Sequence, residues 1–189
     1  MTREQSKKTL IYLAGFMGSG KSTIGPILAN TLGYEFVDID KWIEQKTSKR
    51  IVELFQTEGE QRFRALEREA LQASTARDHC VVSLGGGSIA NEENFQLIRL
   101  NGIVVYLQLA PEEILHRVQH RTDRPLLRDE EGNILPPEQL DARVRDLLER
   151  RSQFYERADI VVASDRKRVG STVDEIVKRL RSFQKKEGA

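Results

Sequence analysis

The stretch Gly15–Thr23, GFMGSGKST, constrains this chain more than any other. It follows TLIYLA, an apolar run with strand character, and precedes IGPILANTLG, which reads as an amphipathic helix. Gly15, Gly18 and Gly20 carry no side chains, so backbone N–H groups can curl around an anion and approach it closely. The helix that follows points its positive N-terminal end into the same space. Lys21 adds a point charge that reaches phosphates, and Ser22 offers a hydroxyl to a magnesium ion. This is the whole pattern G-x-x-x-x-G-K-[ST] in its strand–loop–helix setting, and it predicts a nucleoside triphosphate site. The loop itself is expected to be exposed.

The chain has 189 residues, which suits one domain with a single sizeable core. Its net charge of +1 gives no bulk electrostatic case for binding nucleic acid or membranes. The apolar runs, such as GIVVYLQLA, are too short to span a bilayer. The polar start MTREQSKK has no signal-peptide core, and Cys80 is the only cysteine, so the expected compartment is a reducing cytoplasm. Cys80, beside VVSLGGG, reads as a buried core thiol. His79, His116 and His120 do not form a zinc pattern with one cysteine and read as structural or surface residues.

Short runs rich in Val, Ile, Leu or Tyr predict strands at Thr9–Ala14, Glu35–Asp38, Val81–Leu84, Ile103–Leu109 and Ile160–Ala163. Helices are expected between and after them, at Ser22–Leu32, Asp40–Gln45, Ile51–Gln56, Glu60–Ser74, Glu92–Leu100, Pro111–Gln119, Glu138–Arg157 and Val173–Lys185. Alternating strands and helices, with mostly apolar strands, predict an α/β fold: a parallel sheet covered by helices on both faces. Pro26 falls beyond the first turn of its helix and predicts a local distortion. Two regions do not read as scaffold. Residues 40–71 hold more helix than a simple crossover needs. Residues 120–137, HRTDRPLLRDEEGNILPP, are long and charged, as lids are.

Several side chains could carry chemistry. In FVDID, Asp38 and Asp40 are one strand period apart, which puts both on one face at the carboxyl end of a strand. Two carboxylates there suggest one task on a metal and one on a substrate hydroxyl; the alternative is that Asp40 caps a helix starting at Lys41. In SLGGGS, Gly85, Gly86 and Gly87 let backbone pack against a ligand, or make a tight turn. Arg64 and Glu67 stand at i and i+3 and can pair, on a surface or in a site. Arg121, Arg124, Arg128, Arg150 and Arg151 are either solvated charges or the cations that neutralise a phosphoryl transition state.

The segments GFMGSGKSTIG, FVDID, IVELFQTEGEQRFRALE, SLGGGS, RPLL and RRSQFYERAD occur in this order, and as a set they resemble the shikimate kinase family. The likeness runs from Thr9 to the last helix, and D-x-D, EGE…FR…E and the triple glycine separate it from gluconate and adenylate kinases. The resemblance implies a P-loop kinase fold like that of nucleoside monophosphate kinases, with a five-stranded parallel sheet of order 2-3-1-4-5, a substrate-binding subdomain at residues 40–71 and a lid at residues 120–137. It implies transfer of phosphate from ATP to shikimate, giving shikimate 3-phosphate, on the chorismate route to aromatic amino acids. Magnesium is the implied cofactor, and a monomer with small-molecule partners the implied state.

Carried onto this sequence, the family roles put ATP on Gly18, Ser19, Gly20, Lys21, Ser22, Thr23, Arg117 and Arg124, and magnesium on Ser22 and, through water, Asp38. Asp40 would bind and deprotonate the attacking hydroxyl. Arg64 and Arg151 would clamp the shikimate carboxylate, with Glu67 orienting Arg64. Gly85, Gly86 and Gly87 would bring backbone to the ring, Phe55 and Phe63 would form an apolar wall, and Arg124 would swing in with the lid. The chain departs from the family in a longer lid, in a missing proline after Arg151, and in Val169 where some members place a proline on the adenine. The remaining alternatives are a kinase for gluconate or aminoshikimate and a non-catalytic nucleotide-binding domain, which would be expected to lack Asp40 or Arg64. A nucleic-acid-dependent NTPase is disfavoured by the absence of a basic stripe.

Overall fold

In the computed structural model, residues 8–119, 125–129, 131–164 and 168–187 are described. The strands β1 (Leu10–Ala14), β2 (Glu35–Asp38), β3 (Cys80–Ser83), β4 (Gly102–Gln108) and β5 (Ile160–Ala163) form one sheet in the order β2-β3-β1-β4-β5. All neighbours pair in parallel; Leu10, for example, lies between Cys80 and Gly102. The helices are α1 (Lys21–Leu32), α2 (Ile39–Thr47), α3 (Ile51–Ser74), α4 (Glu92–Asn101), α5 (Pro111–Val118), α6 (Pro137–Tyr155) and α7 (Val169–Glu187).

The two-residue period of the strands sorts the core. Ile11 and Leu13 of β1 face α1 and α7, packing with Leu28, Ile176 and Leu180. Leu10, Tyr12 and Ala14 face the other way, toward Leu66 and Leu71 of α3 and Phe95 of α4. Both faces are therefore dry, as near-continuous apolar strands require. Cys80 is fully buried, and burial pushes its thiol pKa up. His79 and His116 are exposed, while His120 lies outside the described residues.

A third apolar cluster joins the glycine-rich loop to the chain after α5. Phe16 and Met17 of the loop pack with Ile114, Leu127, Leu140 and Val144. The loop is thus largely buried rather than exposed as the sequence suggests. The segment read as a lid is partly built into the same cluster. Pro125–Leu127 form a 3-10 turn, Arg128 bridges Ile134 in antiparallel fashion, and Leu127 is only 1% exposed.

Two helices differ from expectation. α1 runs without a break through Pro26, so the expected distortion is confined to the hydrogen bond that the proline cannot donate. The expected pair of helices on either side of Gln56–Glu60 is one helical run, α3, with a break at Gly59. Gly59 has φ 81° and ψ 170°, a conformation essentially reserved for glycine. A Cβ there would meet nothing within 4 Å, so only backbone strain opposes a side chain. Gly59→Ala is therefore expected to lower stability by about 1–3 kcal/mol. Chemical denaturation checks this; an unchanged midpoint would mean that α3 straightens at no cost.

Candidate active site

Parallel strands end together, so β1, β2 and β3 deliver their following residues to one edge of the sheet. After β1 comes the glycine-rich loop. Gly20 caps α1 with φ 94°, a left-handed conformation that leaves the first turn of the helix open. Lys21 follows at once and folds back, its Nζ donating to the carbonyls of Gly15 (2.7 Å) and Phe16 (3.1 Å). Met17, Gly18, Gly20, Lys21, Ser22 and Thr23 line one side of an open cleft. Ser19 is not among its lining residues: it is buried, and its N–H donates to Phe16 O. Arg117 of α5 lines the same cleft and donates to Gly18 O (3.0 Å) while paired with Glu113. Val169 opens α7, is exposed, and does not line the cleft.

After β2 come the two aspartates, and the structure corrects how they share a face. Asp38 ends the strand and is itself the N-cap of α2, accepting from the Lys41 N–H (3.3 Å). Its other oxygen accepts from Ser22 Oγ (3.0 Å). Asp40 is not a cap and not in the strand; it lies in the first turn of α2. A helical turn, not strand alternation, brings it beside Asp38 in the cleft.

After β3 comes the triple glycine, whose need for glycine is spatial. A Cβ on Gly85 would lie 2.5 Å from Glu67 Oε1 and 3.1 Å from Asp40 Oδ1. One on Gly87 would lie 3.0 Å from Arg64 Nη1, and one on Gly86 3.5 Å from Arg151 Nη1. Backbone and side chains of α2, α3 and α6 thus converge on this turn.

A second, smaller pocket opens there. Phe55 and Phe63 form its apolar wall, with ring centroids 4.8 Å apart. Arg64, Glu67 and Arg151 supply charge. Glu67 is 1% exposed and accepts from Arg64 Nη1 (2.8 Å) and from the Ser88 hydroxyl. Burial works against the Arg64 charge, but the Glu67 and Glu60 carboxylates outweigh it and hold its pKa above the ordinary arginine value. Arg151 is buried over the Phe16 ring and donates to Gly86 O (2.9 Å). Its sequence neighbour Arg150 points outward and pairs with Asp146. Pro125 and Leu126 also line the pocket.

Four contributors escaped the reading of the sequence. Tyr155, four residues after Arg151 and so on its face of α6, also donates to Gly86 O (2.9 Å). Ser88 buttresses Glu67, and Asn94 in turn donates to Ser88 O (3.0 Å). Met17 lines both cavities. The spacing of Tyr155 was a usable signal; that of Ser88 and Met17 was not. Arg121 and Arg124 lie outside the described residues, and Arg128 donates to Gly132 O within the segment after the 3-10 turn.

A phosphate loop on a parallel sheet of this order, opening onto a small pocket of apolar rings and charged side chains, defines a P-loop kinase of small molecules. Sequence comparison narrows the class. The shikimate kinase family model matches residues 17–181, so the chain belongs to the shikimate kinase family. A shikimate kinase of Chlorobium limicola is 48% identical over 175 residues, covering 93% of this chain and 88% of its own. Among solved structures, a shikimate kinase from Acinetobacter baumannii in complex with shikimate superposes with a TM-score of 0.83 at 35% identity, covering 92% of this chain and 93% of its own. A gluconokinase from Sinorhizobium meliloti, at 16% identity and TM-score 0.58 over 95% of both chains, shares the fold alone.

Proposed function

We propose that this chain transfers the γ-phosphoryl group of ATP to a hydroxyl of shikimate, giving shikimate 3-phosphate. The observation that carries the reading is that Asp40 and Gly86 line both the loop cleft and the smaller pocket. A nucleotide in the first and an acidic polyol in the second would meet at Asp40.

Shikimate has one carboxylate and three hydroxyls. Arg64 and Arg151 hold the carboxylate, because a guanidinium can bind it through two parallel hydrogen bonds. Glu67 keeps Arg64 in place, the triple glycine offers backbone to the ring, and Phe55 and Phe63 pack on its apolar edge. Asp40 orients the attacking hydroxyl and takes its proton. Lys21 and the N-terminus of α1 neutralise the phosphates, Arg117 lies toward the adenine, and Arg124 closes on the phosphates with the lid at residues 120–137. Phosphoryl transfer asks mainly for this positioning and charge neutralisation.

Ser22 and Asp38 are the residues that would hold magnesium, Asp38 through water. Among the described residues no group of three or more His, Cys, Asp or Glu could hold a metal. Magnesium does not need one: it keeps several waters and takes one or two protein ligands beside phosphate oxygens, which the Ser22–Asp38 pair suits. When bound, the ion would offset charge on the transferred group. We place the enzyme in the cytoplasm as a monomer; no helix among the described residues is long and apolar enough to cross a membrane.

Shikimate-dependent release of ADP, with and without magnesium and with gluconate and aminoshikimate as competitors, tests the activity. Equal turnover of gluconate would reject it. Arg64→Ala and Arg151→Ala test the clamp. Each is expected to weaken shikimate by about 10- to 150-fold, the worth of a charge-assisted hydrogen bond, and ATP far less. Equal losses for both ligands would reject the assignment.

A further inference from the structure

Arg64 carries two carboxylates of different kinds. Its Nη1 is held by Glu67, which is buried. Its opposite edge, Nε and Nη2, donates to a single oxygen of Glu60 at 3.1 and 2.8 Å. That edge is one through which a guanidinium grips an incoming carboxylate in bidentate fashion. The Glu60 side chain is 54% exposed, so its bond to Arg64 is weak and its release inexpensive. Glu67, at 1% exposed, cannot leave without stranding charge.

The surroundings give Glu60 somewhere to go. It lines not that pocket but a neighbouring cavity that shares Arg64, Glu67, Gly87 and Arg151 with it. The other cations there have partners, Arg68 with Glu93 (2.9 Å) and Arg150 with Asp146 (2.9 Å). Glu60 also follows Gly59 directly, at the break in α3. With Glu60 in place, Arg64 and Arg151 stand among three carboxylates, Glu60, Glu67 and Asp40. With it turned away, two remain, and the second edge of Arg64 is open to another carboxylate.

We infer that Glu60 is an internal stand-in for the substrate carboxylate: it covers the Nε–Nη2 edge of Arg64, and substrate binds by exchange with it. This rests on the assignment of Arg64 to the shikimate carboxylate. The exchange sets specificity as well as affinity. A ligand without a carboxylate does not replace what Arg64 loses, so it does not displace Glu60.

The test compares Glu60→Gln and Glu60→Ala with Arg64→Ala, using calorimetric titration of shikimate and steady-state kinetics, each variant checked by thermal melting. Both Glu60 variants are expected to tighten shikimate by about three- to fivefold, the scale of one partly exposed ion pair. KM for ATP should stay as it is, and kcat should change less than KM for shikimate. Unchanged or weaker shikimate binding in the Glu60 variants, with Arg64→Ala strongly impaired, rejects the exchange and leaves the clamp standing. Unchanged binding in Arg64→Ala rejects both.

Discussion

Asp40→Asn is expected to lower the rate of phosphoryl transfer by at least about 100-fold, the lower range for loss of a general base. The substitution keeps size and hydrogen-bonding capacity and removes the negative charge and the ability to accept a proton. Stability should hardly change. The cap of α2 is Asp38, through its bond with the Lys41 N–H, so Asp40 contributes no cap to lose. Its carboxylate gains about 0.3–1 kcal/mol from the helix N-terminus. Repulsion from Asp38 and Glu67, both close by across the cleft floor and Gly85, works in the opposite direction. Single-turnover kinetics beside a thermal melt decide the matter. A folded Asp40→Asn protein with near-normal transfer would remove Asp40 from the chemistry.

Lys21→Ala is expected to reduce turnover by about 100- to 1000-fold, the cost of removing one preorganised donor at a site of developing charge. The ammonium holds the Gly15 and Phe16 carbonyls, which keeps the charge at the mouth of α1 where phosphates would arrive. The fold should survive, because the loop is also anchored by Phe16 and Met17 in the cluster with Leu127 and Val144. The melt and turnover are measured on the same preparation. Turnover close to the parent's would mean that the loop does not serve catalysis.

Much of the frame was legible because it is written in local spacing. The glycine-rich loop and the strands around it depend on residues a few positions apart. So does the start of α4 at Glu92, and each was read within a residue or two. The errors have local causes as well. Asp38 and Asp40 were given one strand face because FVDID alternates, whereas the chain turns helical at Ile39, and Asp38 takes the cap. The loop was expected to be exposed; Phe16 and Met17 instead bury it under a segment more than a hundred residues later in the chain.

The sequence by itself determined the phosphate loop, the alternating α/β order and, through the ordered set of motifs, the family. The family resemblance also singled out Arg64, Glu67 and Arg151, but only the tertiary structure decided how deeply each charge is buried and what else it touches. Nothing in the spacing of Arg150 and Arg151 says that one lies under Gly86 while the other faces water. Nothing in EGEQRFRALE says that Glu67 is sealed against Ser88 while Glu60 stays exposed on the far edge of the same arginine. These distinctions arise where β3, α3 and α6 meet, between residues far apart in the chain. Burial sets the energy of each charge, and burial is a property of packing rather than of order along the chain.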